Sequence, residues 1–114
     1  MNTLKKTEVE TERRLGFIPL SERNAPEWTQ DEAIAYECAC DTISHYIAIK
    51  THLIHKEEQK ENPDLKLITL LKEESRYLFR ERRDLKLKDH ANIARIRSKY
   101  GTIIRAFSEK KEAD

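Results

Sequence analysis

The longest regular pattern in the chain lies between residues 29 and 58, where apolar side chains recur every three or four positions. This spacing places them on one face of an α-helix. Thr29 followed by Glu32 has the form of a capping box, which predicts the N-terminus of the helix. The predicted core face comprises Tyr36, Ala39, Cys40, Ile43, Tyr46, Ile47 and Ile54.

Two further apolar stripes follow. A second helix is predicted over residues 63–83, with Asn62 as its N-cap and Pro63 in the first helical position. A third helix is predicted over residues 89–108, with Asp89 as its cap. The second stripe consists of Leu67, Ile68, Leu71, Leu78 and Leu85, with Leu70, Tyr77 and Phe79 at its edges. The third consists of Ile93, Ile96, Tyr100, Ile103 and Phe107, with Ile104 alongside.

Three helices with short connections predict an all-α fold, an antiparallel three-helix bundle. The scarcity of turn residues, 2 glycines and 3 prolines, also favours helix over sheet. Gly101 lies inside the third helix at a cost of roughly 1 kcal/mol relative to alanine, and it either permits a close helix crossing or is incidental. The stripes are narrow for a monomer of this size, so a homodimer is possible.

Segments of a different character flank the predicted helices. Residues 1–14 are nearly all polar, and we expect a flexible arm. Residues 15–27 mix apolar side chains with prolines, which predicts an irregular strap that either packs on the bundle or binds a partner. Residues 109–114 are predicted to be a charged tail. A single helical domain is therefore expected over residues 15–108.

Charged residues make up 38% of the chain and are unevenly distributed. Residues 1–62 carry 8 basic and 12 acidic side chains, whereas residues 63–114 carry 14 and 9. On the second helix, basic side chains recur in steps of four, four and three, which predicts a basic ridge away from the apolar stripe. The predicted binding residues are Lys72, Arg76, Arg80, Arg83, Lys86, Lys88, Arg95 and Lys99.

Such a ridge fits three interpretations. It can follow a phosphate backbone, because each cation that meets a phosphate releases a counterion. It can equally bind an acidic protein surface. It can also be a solvated face neutralised locally by Glu73, Glu74 and Glu81. No DNA-reading motif is present, so recognition of a base sequence is not supported.

From this surface we predict a small helical binding or regulatory protein without catalytic activity. Its partner would be an acidic protein or, alternatively, a nucleic acid. Inhibitors, immunity proteins, antitoxins and plasmid or phage accessory factors often have this size and charge density, which is an analogy and not a derivation.

The sequence gives little support for a metal site. Cys38, His45 and His52 share a face of the first helix at intervals of seven residues, which is about 10.5 Å of rise and too far for one metal. Asp41 with His45 supplies only two ligands, so we predict no metal and no cofactor.

The remaining features indicate a cytoplasmic protein. Cys38 and Cys40 point about 200° apart on a helix and cannot form a disulfide with each other, which suits a reducing compartment. The sequence has no apolar run of membrane-spanning length and no signal-peptide core.

One short segment carries a resemblance to a known family. The sequence Arg83-Asp84-Leu85-Lys86-Leu87-Lys88-Asp89-His90 resembles the arginine, polar residue, spacer, histidine motif of the HEPN family of small helical ribonucleases. In that family the pair assembles across a dimer interface and cleaves RNA without metal. The resemblance implies that Arg83 steadies the phosphate and His90 acts as the acid–base group. Alternatively, Arg83 simply ends one helix and His90 begins another.

Overall fold

Three helices form the described part of the chain. The computed structural model describes residues 28–113, with side chains described as far as Lys110. Helix α1 spans Gln30–Glu58, α2 spans Leu65–Asp84 and α3 spans His90–Ala113. The predicted arm over residues 1–14 and the predicted strap over residues 15–27 lie outside the described residues.

The helices alternate in direction. Ile54, near the end of α1, packs with Ile68 near the start of α2. Ala39, earlier in α1, lies in the same cluster as Leu78, so α2 runs antiparallel to α1. His90 at the start of α3 contacts Glu32 at the start of α1, so α3 returns in the direction of α1. Both outer helices pack against α1. The prediction of an all-α antiparallel three-helix bundle is confirmed.

The N-terminus of α1 is closed by the predicted capping box. Thr29 Oγ1 accepts the Glu32 N–H at 3.1 Å, and Glu32 Oε1 accepts the Thr29 N–H at 2.8 Å. Two backbone donors that the first turn would otherwise leave unpaired are satisfied in this way.

The α1–α2 connection differs from its prediction. The N-cap of α2 is Asp64 and not Asn62, because Asp64 Oδ1 accepts the Leu67 N–H at 3.1 Å. Glu57, at the end of α1, accepts the Asp64 N–H on Oε1 at 3.0 Å. This bond holds Asp64 at the helix entrance, so Pro63 remains in the connection.

Helix α3 begins where predicted and continues further. The Asp89 carbonyl accepts the Ile93 N–H at 2.8 Å, as expected of a residue that precedes a helix. Its carboxylate, however, accepts the Lys86 N–H at 3.0 Å and thereby stabilises the turn. The helix continues to Ala113, through most of the segment predicted to be a charged tail. The lysine, glutamate and alanine residues of that segment have high helix propensity.

The core lies along α1, as its apolar stripe predicts. Ile43 of α1 and Ile96 of α3 are completely buried. The larger cluster of buried side chains comprises Ala39, Ile43, Ile47, Leu78, Leu85, Ile93, Ile96 and Tyr100. A smaller cluster near the α1–α2 connection comprises Ile54, Ile68 and Leu71. Helix α1 contributes to both clusters and is therefore the central helix of the bundle.

Some predicted core positions are exposed. Ile104, predicted to lie beside the third stripe, is buried, whereas Ile103, predicted to lie within that stripe, is 36% exposed. Leu67, predicted in the second stripe, is 38% exposed, and Leu70, Tyr77 and Phe79, predicted at its edges, are 51%, 54% and 56% exposed. The reason is that α2 and α3 make no close backbone approach to each other within the described residues. Each outer helix therefore buries only a narrow face.

We expect Ile43→Ala to lower the free energy of unfolding by about 2–5 kcal/mol, because it leaves a cavity at a fully buried site. Ile34→Ala is the matched control, since Ile34 is on the same helix and 49% exposed. Its expected effect is within about 0.5 kcal/mol. Urea unfolding followed by circular dichroism measures both, and equal losses would contradict the assigned core.

Gly101→Ala should stabilise the protein by about 0.5–1 kcal/mol, because glycine disfavours a helix interior. A Cβ at this position would approach the Arg105 guanidinium at 3.3 Å. That group is the end of a flexible, exposed side chain and can move aside. The expected result is a higher melting temperature. A lower one would show that Gly101 is required for packing.

Candidate binding surface

Two of the three glutamates of α2 bind cations on other helices. Glu74 forms an ion pair with Lys50 of α1, whose side chain is 10% exposed. Glu81 accepts hydrogen bonds from Arg95 at 2.6 Å and from the Tyr100 hydroxyl at 2.7 Å, both on α3. These two carboxylates therefore do not neutralise the basic residues of their own helix.

The Glu81 network is itself well defined. The Glu81 side chain is only 7% exposed. Burial, followed by the hydrogen bond to Glu81, raises the pKa of Tyr100 to about 12. The Tyr100 hydroxyl is consequently protonated at neutral pH and donates to the carboxylate. Arg95 completes the network, with its guanidinium carbon 5.7 Å from the Tyr100 ring centroid.

The outward face of α2 carries the predicted row of cations, which we call the α2 ridge. Its members, all exposed, are Lys72, Arg76, Arg80 and Arg83. Arg83 binds the neighbouring Asp84 through two bonds of 2.9 and 3.2 Å. Within residues 28–110, Lys72, Arg76 and Arg80 have no carboxylate oxygen within 4.0 Å. Three cations of the ridge are thus available to an anionic partner in this part of the chain.

The other predicted binding residues divide into two groups. Lys88 binds both carboxylate oxygens of Glu32 at 3.0 Å, and Arg95 binds Glu81, so these two cations connect helices. Lys86 and Lys99 are exposed, and neither forms an ion pair with the described side chains.

An open cleft adjoins the ridge between α1 and α2, and we call it the arginine cleft. Its volume is about 560 Å³. It is lined by Tyr36, Cys40, Phe79, Arg80, Arg82 and Arg83. Three of these side chains are guanidinium groups, and Phe79 offers an exposed ring beside them. A site with this composition can bind an anion and stack on a flat ring.

The α1 wall of the cleft is neutral. The neighbouring Cys40 raises the pKa of Tyr36, so the hydroxyl keeps its proton at neutral pH. Cys40 is half-buried against the main core cluster, in agreement with its predicted position on the core face. The cleft therefore combines cations from α2 with a neutral wall from α1.

Sequence reasoning did not find the cleft. It placed Phe79 at the edge of the apolar stripe and Tyr36 on the core face. The available signal was local, since Phe79 is followed closely by Arg80, Arg82 and Arg83. Nothing in the sequence indicated that Tyr36 lies opposite this segment.

Glu32 is the centre of a second charged cluster, between α1 and α3. Its carboxylate accepts the Thr29 N–H and binds Lys88 and His90. The Thr29 hydrogen bond, followed by the bonds from Lys88 and His90, lowers the pKa of Glu32 to about 2. The cluster attaches the turn before α3 to the first turn of α1.

The two residues of the HEPN-like segment have different partners. Arg83 is bound to Asp84, while His90 Nε2 lies 2.5 Å from Glu32 Oε2. Both side chains are more than 60% exposed, Arg83 at 69% and His90 at 64%. Arg83 precedes the end of α2 by one residue and His90 begins α3. Their assignment to RNA cleavage stays a prediction.

The histidines of α1 do not form a metal site in the described region. His52 packs edge-on against Phe107 at 6.1 Å, and His55 lies 3.8 Å from Glu58. Across residues 28–110, no three histidine, cysteine, aspartate or glutamate side chains are arranged to hold a metal ion. Cys38 and Cys40 are both free thiols.

Comparison with known proteins yields no relative. No protein-family model, curated protein or solved structure matches the chain. The HEPN resemblance therefore depends on eight residues alone. Among the described helices, none combines the length and apolar character that crossing a membrane requires.

Glu32→Gln should destabilise the protein most at neutral pH. The folded pKa of about 2 is below the ordinary glutamate pKa of 4.5, so ionised Glu32 stabilises the fold above pH 4.5. This contribution is lost as the pH falls from 4.5 towards 2. The difference in melting temperature between wild type and variant should therefore narrow over that range. A constant difference would contradict the role given to the ionised group.

Proposed function

We propose that this protein is a non-catalytic helical binding protein that docks an anionic macromolecule on the α2 ridge. The observation that carries the proposal is the separation of charge on α2. Glu74 and Glu81 are used inside the bundle, whereas Lys72, Arg76 and Arg80 are exposed and have no carboxylate partner among residues 28–110. A helix face that carries only positive charges attracts a negatively charged partner.

The alternative of a locally neutralised face has weaker support. Glu73 is the only α2 glutamate that remains exposed, and it forms no ion pair with the described residues. Arg83 is the one member of the ridge with a local partner, Asp84. Most of the positive charge on the ridge is therefore not compensated within the part of the chain described.

A regulatory role, as an inhibitor or accessory factor, belongs to the same proposal by analogy with small proteins of this size and charge density. The free thiols Cys38 and Cys40 are consistent with a cytoplasmic location. The possible homodimer stays a prediction, and a dimer formed ridge to ridge would bring like charges together. Such an arrangement is unfavourable, so we assign the ridge to a different, anionic partner.

The charge reversals Arg76→Glu and Arg80→Glu, made together, should weaken binding to anionic probes by about tenfold or more, because repulsion replaces attraction. The probes are fluorescently labelled polyglutamate and single-stranded oligonucleotides, and the readout is fluorescence anisotropy. For the wild type, binding should weaken steeply between about 50 and 200 mM salt.

The matched control is Arg97→Glu with Arg105→Glu. Both residues are exposed on α3 and outside the ridge, and the double change alters net charge by the same amount. The control should bind nearly as tightly as the wild type. If neither probe binds the wild type at low salt, or if both double variants lose binding equally, the proposed surface is wrong.

A further inference from the structure

The exposed apolar side chains of α2 differ along its length. Leu65, Leu67 and Leu70 lie in the first two turns and are aliphatic. Beside the arginines, the exposed apolar side chains are the aromatic residues Tyr77 and Phe79. Leu70 precedes Phe79 by nine residues, about 13 Å of helical rise. The basic end of α2 therefore presents rings and not aliphatic groups to a partner.

The arginine cleft brings one of these rings together with cations. Phe79 is 56% exposed, and it lines the cleft with Arg80, Arg82 and Arg83. The cleft volume of about 560 Å³ is within the usual range of small-ligand sites, about 300–1,000 Å³. The open cleft is large enough for one nucleotide unit.

Arginine is the cation best suited to such a ligand. Its planar guanidinium group matches the geometry of phosphate oxygens and can form two parallel hydrogen bonds. An exposed aromatic ring stacks on any nucleobase, because every base has a π-face. Proteins that bind single strands combine these two features, a basic groove and stacking aromatic side chains.

We propose that the arginine cleft binds one nucleotide of a single-stranded nucleic acid. The base stacks on Phe79, and Arg80, Arg82 and Arg83 hold the adjoining phosphates. For Arg83 this requires a phosphate to replace or join Asp84 as its partner. The proposal rests on the proposed function, since the strand continues along the α2 ridge past Arg76 and Lys72.

The same geometry disfavours two other partners at this cleft. A duplex keeps its bases stacked on one another, so it would meet the arginines but not the Phe79 ring. An acidic protein would satisfy the arginines through its carboxylates, but a carboxylate has no π-face to stack on the exposed Phe79 ring. A single strand uses the ring and the cations at the same point.

The test is the fluorescence anisotropy of four labelled probes. Each probe is titrated with the full-length protein in a buffer that contains a metal chelator. They are a 12-nucleotide oligouridylate, a 12-nucleotide oligothymidylate, a duplex of equal length and polyglutamate. Single strands should bind more tightly than the duplex and than polyglutamate. The RNA and DNA strands distinguish the two sources of the same chemistry.

Phe79→Leu removes the ring but keeps an apolar side chain, and it should weaken single-strand binding roughly 5- to 100-fold. Phe79→Trp should restore it. Arg82→Gln should also weaken binding and reduce the slope of log affinity against log salt by about 1. Tyr77→Leu is the matched control, an exposed aromatic on the same helix outside the cleft. Circular dichroism verifies that each variant is folded.

The outcomes separate this proposal from the proposed function. One outcome is that single-strand binding is weakened by Arg76→Glu with Arg80→Glu and yet is unaffected by Phe79→Leu, or is weakened by Phe79→Leu no more than by Tyr77→Leu. In that case the cleft proposal is wrong and the proposed function stands. If polyglutamate alone binds, the cleft proposal fails and the partner is an acidic protein. If no probe binds, both fail. Loss of single-strand binding in Phe79→Leu but not in Tyr77→Leu, with binding restored in Phe79→Trp, supports the proposal.

Discussion

Glu74 and Glu81 determine the position of α2, because each carboxylate reaches a cation on a different helix. Glu74 meets Lys50 of α1, and Glu81 meets Arg95 and Tyr100 of α3. Half-buried ion pairs of this kind add little net stability, since desolvation offsets much of the attraction. Their importance lies in geometry, because the two carboxylates bind other helices and leave the ridge cations as the charges on the solvent face of α2.

The outward face is consequently free to serve recognition. The apolar side chains Ile68, Leu71 and Leu78 point towards the core. The arginines of the ridge contribute nothing to that core, so their number and spacing are not explained by folding. In the proposed function, α2 separates two tasks, stability on one side and binding on the other. The arginine cleft lies at the boundary, where α1 supplies a neutral wall.

Local sequence patterns predicted the parts of the fold that depend on neighbouring residues. The capping box of Thr29 and the two stripes that contain Ile43 on α1 and Ile96 on α3 follow from spacing alone. The basic ridge could also be predicted, because residues three and four apart share a helix face.

Features that depend on distant residues could not be predicted. Asp64 replaces Asn62 as the cap because Glu57, seven residues earlier, binds its N–H. The partner of Glu81 is 14 residues away in Arg95, although nearer cations were available on α2. Tyr36 and Phe79 meet at the cleft from different helices. Periodicity indicates which face is buried but not which helix covers it.

Among the described helices, α1 alone makes close backbone approaches to both others, whereas α2 and α3 meet through the side chains of Glu81, Arg95 and Tyr100. Detachment of α2 or α3 leaves α1 packed against the other outer helix. Loss of α1 removes the packing surface that both outer helices share. Any separation of α2 from α1 would also split the cleft, because Phe79 and Tyr36 lie on opposite walls. A ligand bound to both walls would stabilise the packing of α2 on α1. Local separation of the two helices would therefore become rarer as the occupancy of the cleft increases.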